Sequence, residues 1–428
     1  MNTPANLSEI ISCVSGYDPN AVPVAQAQQI IRNFVVPVQG IEKLALRGAL
    51  GRVLAQDIVS PIDVPQQDNS AMDGFALRGA DLPAQDAVTL KVIATTLAGG
   101  SAARDVQPGE CVRIMTGATM PPGCDTVVPQ EFTQGGGDSV TIPAGVVRPG
   151  DNRRLRGEDL AQGKPALQQG KILRPADIGL LASLGIAEVP VMRRLRVAFF
   201  STGDELRSIG EPLDPGCVYD SNRYTLHGML TRLGCEIIDM GVVRDEPAAL
   251  EAAFRSAAEC ADAIITSGGV SVGEADYTKQ MMGKLGDVAF WKIGMRPGRP
   301  MAFGKIASEN RSAYLFGLPG NPVAVMVTFY FFARDALLRM MGAQAEPLPS
   351  LQAVSHSAIR KKPGRTEYQR GILSIEPDGR RLVRITGAQG SGILRSMSEA
   401  NCMVVLGHDQ GGVNAGDLVD VVLFEGLV

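Results

Sequence analysis

Residues 194–341 alternate short apolar runs with stretches of helical character, and this alternation narrows the possible folds more than any other feature of the chain. Residues 197–200, 236–243, 263–266, 288–293 and 313–318 read as strands. Between them, residues 220–233 read as a helix capped by Asp220 or Ser221 and stopped by Gly234. Further helices follow Asp245 and Pro247, run from 276 to 284, and start at Asn321-Pro322. Strands that alternate with helices build a mainly parallel sheet covered by helices, with ligand loops at the carboxyl ends of the strands. Three distinctive loops fall at such ends: STGDEL from Ser201, SGGVSVGEAD from Ser267, and GLPGNP from Gly317.

The second loop carries the most specific chemistry. Gly268, Gly269 and Gly273 allow positive φ and let backbone N–H groups approach an anion without a Cβ in the way. The loop opens onto a helix N-terminus, whose free N–H groups favour an oxyanion. Glu274 and Asp276 suit a hard cation such as Mg²⁺, which bridges carboxylates to phosphates, and Lys279 adds a point charge. A surface turn with an Asp cap fits the same local spacing equally well. The acids Asp204 and Glu205 follow the first strand directly, so they share a sheet edge with this loop. Asp245 taken alone reads as a helix cap, and Asp73 lies in DNSAMDGFAL, where Asp-Asn-Ser and Asp-Gly are ordinary turn pairs. Lys292, Arg296 and Arg299 gather in WKIGMRPGRP, where glycines and prolines turn the backbone. They fit a small oxyanion site or a solvated basic loop. His227, His356 and His408 show no ligand spacing, which gives no support to a histidine–metal or Ser-His-Asp mechanism.

The other segments differ in kind. Residues 24–35 repeat Ala27, Ile30, Ile31 and Phe34 at helical spacing, and 178–184 form a second helical stretch before Gly185. Residues 58–145 hold short alternating runs cut by Pro and Gly turns, the pattern of a small β domain. After Pro347 short apolar strands return at 382–385, 403–406 and 418–424, which suits a compact β barrel or sandwich. At 428 residues the chain has room for about three or four domains. A net charge of −4 gives no global attraction to nucleic acid. Seven scattered cysteines without a C-x-x-C pair indicate neither a disulfide framework nor zinc, and a reducing cytoplasm fits them. The longest apolar run, 322–332, is too short for the roughly 20 residues of a membrane span and reads as a buried helix.

DNSAMDGFAL, RIMTGA (113–118), RRLRGEDL (153–160), STGDEL, SGGVSVGEADYTK, RPGRPMAFG and GLPGNPV together resemble the molybdopterin molybdotransferases, the MoeA family that includes the C-terminal domain of gephyrin. The resemblance spans nearly the whole chain. It implies a discontinuous elongated domain (1–57 and 146–192) and an inserted β domain (58–145). It further implies a central α/β domain similar to molybdopterin adenylyltransferases (193–342) and a C-terminal β barrel (343–428). The implied assembly is a cytoplasmic homodimer. The implied reaction inserts molybdenum from molybdate into adenylylated molybdopterin, with Mg²⁺, and releases AMP. Implied partners are the molybdopterin adenylyltransferase and molybdoenzyme apoproteins or cofactor carriers, with neither nucleic acid nor membrane.

In that resemblance Asp276, Glu205 and Glu274 hold the metal, and Asp276, Glu205, Asp73 and Asp245 serve catalysis. Ser267, Gly268, Gly269, Ser271, Gly273, Lys279 and Asp204 contact the adenylate end. Lys292, Arg296 and Arg299 attract molybdate and the pterin phosphate, with Arg365 or Arg370 and Ser391 from the C-terminal domain as further candidates, and Pro319, Gly320 and Pro322 also bind substrate. Asp73, Thr116 and Asp159 match positions that complete the partner subunit's site. Two departures stand out. Arg296 and Arg299 replace the lysines of a K-P-G-K-P pattern, exchanging point donors for planar forks. Ala324 replaces a serine and removes a hydroxyl. Two other readings of the same motifs are an adenylyltransferase acting on molybdopterin and a non-catalytic scaffold of the gephyrin type.

Overall fold

The central α/β region carries a sheet whose strands are among the most apolar in the chain. A computed structural model describes residues 6–100, 104–270, 277–344 and 348–426. Among these, the central sheet consists of β1 (Arg196–Thr202), β2 (Glu236–Val243), β3 (Ala263–Ser267), β4 (Gly286–Lys292), β5 (Pro300–Ala307) and β6 (Ser312–Leu318) in the order β2-β1-β3-β6-β5-β4. The pairs β2–β1, β1–β3 and β3–β6 are parallel, whereas β6–β5 and β5–β4 are antiparallel. Strands β1, β3 and β6 are buried almost end to end, as strands covered on both faces must be. The expected mainly parallel sheet is therefore present, but β5 makes one edge antiparallel. Its sequence, PMAFGKIA, follows a Pro- and Gly-rich turn that hid it among loop residues.

Helices cover both faces. The helix Ser221–Leu233 is capped by the Asp220 side chain, which accepts from Arg223 N, and ends at Gly234 in the left-handed conformation. Its residues Leu226, Met229 and Leu230 pack with Phe199, Ile265 and Phe316 on one face of the sheet. Pro247–Cys260 covers the other face through Ala253, Phe254 and Ala257. Asp245 does not cap that helix: Glu246 holds the cap position, without a side-chain bond. The apolar run from Pro322 continues beyond the expected stretch, through a π-helical turn at Phe329–Ala333 into Arg334–Met340. No helix among the described residues is long and apolar enough to cross a membrane.

The N-terminal helix Val24–Phe34 belongs to this same core. Its buried face, Ala27, Ile30, Ile31 and Phe34, joins the cluster that holds Phe303 and Phe316. The Phe34 ring meets Phe303 and Tyr314 edge-on, each with centroids 5.6 Å apart, and the Tyr314 hydroxyl donates to Phe34 O at 3.2 Å. This helix thus packs across the line expected between residues 1–57 and the central domain. A separate apolar cluster joins Ala49, Leu54 and Ile58 to Leu167, Leu181 and Val191, tying together two segments far apart in sequence. Between those segments lies a six-stranded β sheet running from Gly74–Leu77 to Ser139–Ile142, with an apolar cluster on each face.

The C-terminal strands close on themselves. β7 (Ser350–Ser355), β8 (Thr366–Ile375), β9 (Arg381–Ile385), β10 (Cys402–Leu406) and β11 (Leu418–Leu423) pair as β8-β9-β7-β11-β10, and β10 returns to β8. The result is a closed five-stranded barrel around Ala353, Val383, Val404 and Val421. The short strand Met295–Arg296 adds to it in parallel beside Thr366 and Glu367, so a loop of the central domain is also an edge strand of the barrel sheet.

Removing the Phe34 ring leaves a cavity against the central sheet. Phe34→Ala is expected to lower stability by about 3–5 kcal/mol. Trp291, the chain's one tryptophan, sits with its ring centroid 5.6 Å from Phe303, so its fluorescence during denaturant unfolding reads the loss. An unchanged midpoint would place Phe34 outside the core.

Candidate active site

Parallel pairing sets the position of the site. Ser201, Ser267 and Leu318 are register neighbours across β1, β3 and β6, so all three strands end in one row. The loops that follow, together with the one between β4 and β5, meet the barrel around a cavity of about 1330 Å³. Thr202, Gly203, Glu205 and Leu206 line it from the first loop, Asp245 from the second, Ser267, Gly268, Gly269 and Val270 from the third, and Pro319, Gly320, Asn321 and Pro322 from the fourth. Arg296, Pro297, Gly298 and Arg299 form a cationic wall, and Arg365, Gln389, Ser391 and Gly392 of the barrel face it.

The glycines of the third loop are required by packing. Gly268 has φ +95°, and a Cβ there would stand 2.7 Å from Thr202 O. Gly269 has φ +65°, and its Cβ would fall 2.4 Å from Thr278. Loops one and three therefore touch backbone to backbone. Buried polar atoms tie the ends together further: Asn222 Nδ2 donates to Ser267 Oγ and to Gly320 O, both at 2.7 Å. Asp245 N lies 3.4 Å from Asp204 Oδ1, and Thr278 Oγ1 lies 3.4 Å from Asp245 Oδ1. The helix from Pro322 is held to the barrel by a bond from Val323 N to Ser391 O at 3.0 Å.

Charge is separated across the cavity. Glu205 and Asp245 stand at the ends of β1 and β2, while Arg296, Arg299 and Arg365 stand opposite on the β4–β5 loop and the barrel. Arg365 donates through Nε to Glu367 Oε1 at 2.8 Å. Behind this wall, Arg296, Pro297, Arg360, Glu367, Tyr368, Gln369, Arg370 and Gln389 line an adjoining pocket of about 210 Å³. Arg370 is fully buried, with Nε donating to Ser396 Oγ at 3.0 Å and one terminal nitrogen to Gly390 O at 2.9 Å. Burial first, and the nearby Arg296 second, pull its guanidinium down to about 10, which leaves it charged at neutral pH.

Several expected residues lie elsewhere. Lys292 is half-buried in β4, where its backbone bonds Pro19 and Val22, and it does not line the cavity. Lys279 is exposed, with its ammonium over the Phe290 ring at 5.1 Å. Asp204 is exposed on the rim, outside the lining. Asp73 and Thr116 bond each other in the inserted β domain, the Asp73 carboxylate accepting from Thr116 N and Oγ1 at 2.7 Å. These bonds hold the Asp73 carboxyl below its ordinary range. Asp159 is exposed near the same domain, its N donating to Val64 O at 3.1 Å. None of the three borders the cavity of its own chain. Ser271, Gly273, Glu274 and Asp276 lie outside the described residues.

Asp220 and Asn222 also line the cavity, although the spacing suggested only a helix cap. The run Asp220-Ser221-Asn222 held a signal, because one capping side chain suffices and a third polar residue was left to explain. Among the described residues no group of three His, Cys, Asp or Glu side chains forms a metal cage. Glu205 and Asp245 nonetheless suit a hard cation that keeps water ligands and takes one or two carboxylates with substrate phosphates.

Three family models cover the chain: the MoeA N-terminal region (domain I and II) matches residues 22–185, a probable molybdopterin binding domain matches 198–339, and the MoeA C-terminal region (domain IV) matches 352–424. The chain is 43% identical to a molybdopterin molybdenumtransferase of Haemophilus influenzae over 94% of its own length and 98% of the relative's. It is 37% identical to one from a Nostoc species over 92% of both chains. A crystal structure of the molybdopterin biosynthesis moeA protein of Pyrococcus horikoshii superposes with a TM-score of 0.79 at 30% identity, covering 95% of this chain and all of that one. The fold and the sequence are thus those of a molybdenum cofactor biosynthesis enzyme. The chain belongs to the MoeA family of molybdopterin molybdenumtransferases.

A methyl group at Gly268 would push loops one and three apart. Gly268→Ala is expected to lower molybdenumtransferase activity by about a hundredfold and stability by about 1–3 kcal/mol. Cofactor formation and unfolding measured on the same preparation check both, and full activity would show that the loop contact is dispensable.

Proposed function

We propose that this chain takes adenylylated molybdopterin and molybdate, inserts molybdenum at the dithiolene sulfurs, and releases AMP and molybdenum cofactor. The observation that carries the reading is one cavity with carboxylates on one wall and arginines on the other, in a chain that matches its molybdenumtransferase relatives almost end to end. Such a site separates two anionic demands. Ser267, Gly268 and Gly269 present a loop with the conformational freedom to cradle phosphate, while Glu205 and Asp245 hold Mg²⁺ beside it. Asp276 and Glu274 belong to the same set. Bound there, Mg²⁺ supplies Lewis-acid neutralisation of phosphate charge.

Arg296 and Arg299 bind molybdate and the pterin phosphate with Pro319, Gly320, Pro322, Arg365 and Ser391 around them. Arg370 backs that wall through its contacts with the 388–390 backbone. The buried guanidinium keeps a positive potential at the molybdate end without standing in solvent. Arginine forks in place of lysine point donors preserve anion binding with a more directional geometry. Asp73, Thr116 and Asp159, which lie away from their own chain's cavity, complete the partner subunit's site in a cytoplasmic homodimer. Domain limits follow the same reading at 58–145, 146–192, 193–342 and 343–428, while within 1–57 the helix Val24–Phe34 joins the central core.

Purified protein incubated with adenylylated molybdopterin, molybdate and Mg²⁺ is expected to release AMP and to yield cofactor that activates a molybdenum-free acceptor enzyme. Chelation of Mg²⁺ abolishes both, and Glu205→Gln or Asp276→Ala lowers turnover by about a hundredfold or more. AMP release that persists in chelator, or adenylylation of molybdopterin by ATP, would overturn this reading. A scaffold without activity would release no AMP under any of these conditions.

A further inference from the structure

Asn222 is 8% exposed in the first turn of the helix Ser221–Leu233, and it connects three of the site's elements. Its Nδ2 donates to Gly320 O in the fourth loop and to Ser267 Oγ at the end of β3. A backbone carbonyl can only accept, so the bond to Gly320 settles which way the amide faces. The consequence is that Oδ1 is buried without a donor among the described residues. The two donor bonds therefore hold the amide against the cost of an unpaired acceptor.

That orientation also sets the polarity of Ser267. A hydroxyl has one proton and two lone pairs, and here Asn222 occupies a lone pair. The Ser267 proton is turned away from Asn222, and no acceptor among the described residues receives it. Ser267 borders the cavity beside Gly268 and Gly320. We infer that Asn222 is a positioning residue that makes Ser267 an obligate hydrogen-bond donor to an anionic oxygen in the cavity, the phosphate of the adenylate. The assignment of that anion rests on the function proposed above.

The test compares AMP with adenosine, which lacks only the phosphate, by calorimetric titration of the full chain with Mg²⁺. Asn222→Ala and Ser267→Ala are each expected to weaken AMP binding about tenfold, the worth of one hydrogen bond to a charged group, and to leave adenosine binding within about twofold. The double variant is expected to lose no more than either single one, because both act through one proton. Equal losses for AMP and adenosine would make Asn222 a structural tie and overturn the inference, as would additive losses or no loss. Should Asn222→Ala fail to fold, Asn222→Ser keeps a donor on a shorter arm and decides by the same comparison. A wild-type protein that binds AMP no better than adenosine overturns the adenylate reading itself. Wild-type preference for AMP with unchanged variants overturns only the role of Asn222.

Discussion

The in-register parallel pairing of β1, β3 and β6 is the constraint on which the site depends. Parallel strands all point the same way, so hydrogen bonds that align Ser201 with Ser267 and Ser267 with Leu318 bring three chain exits to one edge. The exits are then so close that the loops must touch, and Gly268 and Gly269 are small because Thr202 and Thr278 occupy the space a Cβ would take. Burial of the strands on both faces fixes that register, because a one-residue slip would turn the polar ends of β1 and β3 into the apolar layers beneath. Asn222 bonds two of these exits from the neighbouring helix, which makes the edge a cross-linked unit.

A second link joins this edge to the barrel. Met295–Arg296 pairs with Thr366–Glu367, and Val323 N donates to Ser391 O, so the central domain and the barrel are bonded on both sides of the cavity. This is why arginines from two regions of sequence face carboxylates from a third. The charge separation is a property of the joint. The chain's overall charge of −4 gives no hint of a cationic wall, since the arginines that form it are offset by acids elsewhere.

Much of the central fold was legible because its signals are local. Alternation of apolar runs with capped helices identified the sheet strands β1, β2, β3 and β6 and the helix from Asp220 to Gly234. β5 escaped because Pro300 and the glycines before it read as loop, and a strand that starts on proline has little local signature. The closure of the barrel was likewise open between barrel and sandwich. Only the return pairing of β10 to β8 decides it, and that pairing joins residues more than thirty apart. The packing of Val24–Phe34 on the central sheet was invisible for the same reason: its amphipathic pattern says that one face is buried and leaves its partner open.

The sequence by itself determined most elements of the central sheet, the glycine and acid loops at strand ends, and the family through motifs spread over nearly the whole chain. Those are properties of residue type and spacing, which local sterics and hydrophobic periodicity translate directly. Tertiary structure decided which of the charged residues meet. Glu205, Asp245, Arg296, Arg299 and Arg365 share the cavity, whereas Lys292 is half-buried in β4. Tertiary structure also revealed Asn222, whose value lies in two bonds to residues 45 and 98 positions away. Spacing along a chain cannot express a contact of that kind, because it exists only once the sheet has set its strands side by side.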